Sequence, residues 1–104
     1  MESYEAQPLG KPRLAVTAEN DTPGGWCYTI EATEGADSRT LAVTLSWADH
    51  DHWSSGATRP SAVAEAALRA ILEHHSVRAL PESFDCSRGR RMIRGFDDRV
   101  RAML

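Results

Sequence analysis

The sequence has little of several things that usually announce a function. It contains two cysteines, one lysine and seven aromatic residues in 104. Cys27 and Cys86 share no C-x-x-C spacing, so neither a cysteine metal knuckle nor a disulfide framework is expected. Two isolated thiols suit a reducing compartment, and the expected location is the cytoplasm. No apolar run approaches the roughly 20 residues that span a bilayer, so no membrane partner is expected. The opening MESYEAQPLG is acidic and polar, unlike a secretory signal. There is no G-x-S-x-G, no glycine-rich phosphate loop and no H-E-x-x-H. No catalytic signature therefore points to an enzyme, and no cofactor is expected. Eleven of the twelve basic residues are arginine, which with abundant alanine suits a GC-rich bacterial genome.

What is present reads as a folded α+β chain. At this length one domain is expected, over residues 13–104, preceded by a flexible tail over 1–12 that carries Pro8, Gly10 and Pro12. RLAVTA, WCYTIEA and TLAVTLSW alternate with a period of two, and turn-forming clusters separate them. They predict a three-stranded antiparallel meander with one apolar face: Trp26, Tyr28, Ile30 and Ala32, then Leu41, Val43, Leu45 and Trp47. One long amphipathic helix, near Arg59 to His74, is expected to cover that face. Thr58 is its expected N-cap and Pro60 lies in its first turn. Val63, Ala64, Ala67, Leu68, Ile71 and Leu72 form its apolar stripe. Short C-terminal helices follow. One is capped by Asp85 or Ser87, runs through Ile93 and ends at Gly95. The other is FDDRVRAML, with Phe96, Val100, Met103 and Leu104 inward.

The most chemical-looking run is WADHDHW, with two Asp, two His and two Trp between Trp47 and Trp53. As a continued strand it would put His50 and His52 on one face, two residues apart. His74, or its neighbour His75, could then complete a metal site. The same continuation would drive Asp49 and Asp51 into the core without partners. A short helix avoids that cost, with Ser46 as N-cap, Asp49 in a near capping box, Trp53 anchored in the core and Gly56 as the stop. In that geometry His50 and His52 point apart.

Charge is unevenly distributed. Residues 76–104 carry seven arginines against four acids, a net of +3, and residues 1–75 carry five bases against eleven acids, a net of −6. Arg88, Arg90, Arg91 and Arg94 crowd SRGRRMIRG at three- and four-residue spacings. They are candidates for nucleic-acid or other anion contacts. The chain as a whole is net −3, and no aromatic interleaves with the arginines. Pairing within the chain, or with a protein partner, is the expected use. Cys86 beside Asp85 would be a thiolate candidate only at a helix N-terminus.

LAVTAENDTPGGWCYTIEA, followed later by SSGATRPSAVAEAALRAILE, resembles in outline the antitoxin domains of the HicB type. Those combine a glycine-containing hairpin, a small-residue turn and an amphipathic helix. The resemblance implies a dimeric toxin-neutralising protein. TLAVTLSWADHDHW departs from it in position, and no clear DNA-binding tail is visible. The residues themselves lead to a small protein-binding or regulatory module, with a homodimer through a sheet edge or the helix surface as one form. Nucleic-acid binding and metal binding at the His50/His52 region are the alternatives.

Overall fold

The computed structural model describes residues 11–104. Of the expected tail, only Lys11 and Pro12 fall within them. The described residues are α+β, as expected, but their sheet has four strands rather than three. Strands β1 (Arg13–Thr22), β2 (Gly25–Glu34) and β3 (Asp37–Ser46) form the antiparallel meander. Its turns are made possible by Gly24 at φ +84° and Gly35 at φ +59°, which side-chain-bearing residues reach only with strain. β1 bulges between Val16 and Ala18.

The fourth strand, β4 (Ser83–Asp85), lies beside β3 and parallel to it, so the sheet is mixed, in the order β1-β2-β3-β4. Three residues with one apolar side chain show no period, which is why alternation does not find it. Phe84 opposite Val43 gives it its place in the core. The parallel return requires a crossover, and the helices between β3 and β4 supply it. Arg39 of β3 secures that crossover by donating to the carbonyls of Val77 (3.0 Å) and Leu80. The Val77 N–H donates to Glu34 Oε1 at 2.9 Å.

Four helices follow the meander: α1 (Trp47–Ser54), α2 (Pro60–Leu72), α3 (Gly89–Met92) and α4 (Phe96–Ala102). α2 is the expected cover, and Val63, Ala64, Ala67, Leu68 and Ile71 are all fully buried or nearly so. Each large aliphatic buried this way contributes about 1.5–3 kcal/mol. Two details differ from expectation. The N-cap is Arg59, without a side-chain cap bond, and not Thr58. Pro60 at the first position has no N–H to satisfy, so less is lost by the missing cap. The helix closes at Leu72, where the N–H groups of both His74 and His75 converge on the Ile71 carbonyl.

The core lies between the sheet's apolar face and the helices. Tyr28, Ile30, Ala32, Leu41, Val43 and Leu45 line it from below. Thr29, Thr40, Ala42 and Thr44, which alternate with these core residues, are half-buried or exposed. α3 and α4 close one end of the core. Ile93, Phe96 and Val100 are buried, Met103 is partly buried, and Leu104, expected inward, is 42% exposed. Gly95, expected to stop the helix before it, takes φ +71° as the N-cap of α4. Gly89 allows the two short helices to touch, since a Cβ there would sit 2.3 Å from the Phe96 ring.

Candidate functional site

The WADHDHW run is helical. Ser46 is extended, and its Oγ accepts from the Asp49 N–H at 3.0 Å, which ends β3 and starts α1 in one step. Ser55 at φ +54° and Gly56 at φ +78° end the helix. Trp53 is 3% exposed and forms the inward anchor. Trp47 was expected on the core face as the last residue of the strand. The strand stops one residue earlier, and the helical turn carries Trp47 to 60% exposure. Its N–H donates to the Gly24 carbonyl at 2.8 Å, tying the start of α1 to the β1–β2 turn.

The two sequence features that looked most functional meet each other. Arg90 donates from Nη2 to Asp49 Oδ1 and from Nε to Asp97 Oδ1, both at 2.9 Å. Its guanidinium stands 5.1 Å from the centre of the Trp53 ring. The Trp53 indole N–H donates to the same Asp97 Oδ1 at 2.7 Å, and Phe96 meets the Trp53 ring edge-on at 5.7 Å. Charge-assisted bonds, a cation–π contact and a buried indole thus converge on Asp97. Burial alone would raise the Asp97 carboxyl, but the bonds from Trp53 and Arg90 and the nearby charges outweigh it and hold the carboxyl below its ordinary range.

A second cluster lies alongside. Arg101 donates from Nη2 to His52 Nε2 at 2.9 Å and from Nη1 to Asp98 at 3.2 Å. His50 faces the other way. Its Nε2 lies 2.6 Å from the Thr58 carbonyl, and its ring meets Trp26 edge-on at 5.3 Å. His74 is exposed beyond the end of α2. His50, His52 and His74 are therefore not brought together. Among the described residues no group of three His, Cys, Asp or Glu is placed to hold a metal ion.

Asp85 does cap, as expected: its Oδ2 accepts from the Ser87 N–H at 3.0 Å. Its Oδ1 accepts from Thr44 on β3 at 2.6 Å, a link that alternation alone could not show. Burial opposes its ionisation, but the bonds from Ser87 and Thr44 and the Arg90 charge prevail and lower its pKa. Cys86 is buried, and burial together with the Asp85 and Asp49 charges pushes its thiol far above the ordinary range. That is opposite to what a nucleophilic thiolate requires.

Arg88, Arg91 and Arg94 are exposed and form no ion pair among the described residues. Of the four arginines in the run, Arg90 alone is ion-paired among the described residues. Arg94 borders an open depression of about 490 Å³, lined also by His52, Arg90, Asp97, Asp98 and Arg101. Compared with family models, characterised proteins and solved structures, the chain matches none, so the HicB-type outline gains no support there.

Proposed function

We propose that this chain is a small protein-binding module whose contact surface is centred on Trp47. The observation that carries the reading is the 60% exposure of Trp47 on a rigid support, while Trp53 is in the core and Trp26 is packed against it. Tryptophan is a costly residue to leave in water, and it is among the residues most enriched at the energetic centres of protein interfaces. Trp47 is also preorganised. It is the first residue of a capped helix and is tied through its backbone to the neighbouring turn, so little order need be gained on binding.

The partner is another protein or a second copy of the chain. Affinity capture from a native lysate with wild type and Trp47→Ala tests this, with sedimentation of both proteins alongside. The reading expects a partner, or a dimer, that the substitution reduces at least tenfold while the melting temperature holds. Identical captured proteins and identical sedimentation for the two would contradict it.

A further inference from the structure

We infer that Arg88, Arg91 and Arg94 form a contact surface for the phosphate backbone of a nucleic acid. The segment Cys86–Arg94 contains four arginines and no acid. The fold divides those arginines sharply. Arg90 is bonded to Asp49 and Asp97 and stands over Trp53, so its charge is neutralised internally. The other three, exposed as Arg90 is, form no ion pair among the described residues.

Their scaffold is fixed. Cys86, Gly89, Ile93 and Phe96 are buried, so the backbone that carries the arginines is packed on the core. Arg88 and Arg91 belong to contiguous helical turns, three residues apart, which places their stems about 5–6 Å from each other. Like charges held this close repel by a few tenths of a kcal/mol, roughly, per pair. Among the described residues neither Arg88 nor Arg91 is ion-paired with a carboxylate, whereas Arg90 has two. An external anion would remove that repulsion.

The chemistry favours phosphates over a protein partner. A protein interface needs a desolvated apolar or aromatic centre. No large hydrophobic side chain between Cys86 and Arg94 is exposed, and the exposed ones among the described residues, Trp47 and Leu104, lie elsewhere in the chain. Backbone phosphate contacts need only positioned charge, and the guanidinium fork fits phosphate oxygens with paired bonds. The segment Cys86–Arg94 contains no aromatic residue to stack on bases, so binding follows the backbone and not the sequence.

The test is fluorescence polarisation with three labelled probes: a short single-stranded RNA, a short DNA duplex and a polyglutamate peptide. Wild type, Arg88→Ala/Arg91→Ala/Arg94→Ala and the corresponding triple Lys variant are compared. Neutralising three phosphates of a duplex gives a log–log salt slope of about −2.7, a loss of roughly forty-fold in affinity between about 50 and 200 mM salt. The expected result is binding of RNA, duplex or both, whichever it is naming the source. That binding is lost in the triple Ala variant and largely retained in the triple Lys variant, and melting temperatures are unchanged throughout. Failure of both nucleic acids to bind wild type would overturn the inference, as would binding that survives the triple Ala change. Polyglutamate binding as tight as nucleic-acid binding would reassign the surface to acidic proteins and also overturn it.

Discussion

The Arg90 guanidinium stands 5.1 Å from the centre of the Trp53 ring, and both side chains donate to the same oxygen of Asp97. One carboxylate oxygen thus holds together α1, α3 and α4. If the three groups act as a unit, their removal is non-additive. Asp97→Ala is expected to cost about 1.5–3 kcal/mol, the range for hydrogen bonds to a charged group. The Arg90→Ala/Asp97→Ala double variant should cost less than the sum of the single changes, by about 0.5–3 kcal/mol. Denaturant melts of the four proteins measure the coupling, and additive costs would mean that the cluster is only a surface ion pair.

The same network sets an acid limit. Asp85 and Asp97 both have lowered carboxyl values in the folded chain. The unfolded chain titrates such groups near about 3.9. A lowered folded value means that the unfolded state takes up the proton first. The stabilisation is therefore complete above about pH 4 and is lost as the pH falls through the folded values below it. Wild type should lose melting temperature in that acid range more steeply than Asp85→Asn/Asp97→Asn. Parallel acid curves for the two proteins would show that these carboxylates do not govern the transition.

The two thiols should separate cleanly. Cys27 of β2 is half-buried, while Cys86 is buried with its thiol pushed far upward. A thiol reagent at mildly alkaline pH is expected to modify one group per chain quickly and the second only after denaturant is added. Peptide mapping should find the fast label on Cys27. A fast label on Cys86 would mean that the end of the core around α3 opens readily.

Gly89→Ala tests the contact between α3 and α4. A methyl group there would sit 2.3 Å from the Phe96 ring, which is itself held by Trp53. Overpacking of this kind costs about 1–3 kcal/mol, although alanine is the better helix former. A thermal melt at or above wild type would show that the ring can move aside.

Local features were the legible ones. Ser46, Asp49, Trp53 and Gly56 lie within one short span, and the cost of burying Asp49 and Asp51 favoured the helix over the strand while leaving the His50/His52 metal geometry as an alternative. The α2 stripe was legible because its period is long and unbroken. β4 was not, since its pairing with β3 depends on residues about forty positions away and on a single phenylalanine. Trp47 was misplaced because alternation has no mark for the residue at which a strand stops. The meeting of Asp49 with Arg90 is likewise a product of topology. Sequence showed a net acidic stretch over residues 1–75 and a net basic one over 76–104, and only the packed helices select Arg90 for pairing with Asp49 and leave Arg88, Arg91 and Arg94 without an ion pair among the described residues.

The exposure of Trp47 is the point on which the functional reading turns, and 5-fluorotryptophan NMR addresses it directly. The protein has three tryptophans, so three resonances are expected, and a Trp47→Phe sample assigns one of them. The spectrum is recorded in buffer and again in concentrated native lysate. The Trp47 resonance is expected to shift or broaden in lysate while those of Trp26 and Trp53 stay in place. If a second copy is the partner, the same selective change appears with protein concentration in buffer. A Trp47 resonance that stays as sharp and unmoved as the other two under both conditions would contradict the account.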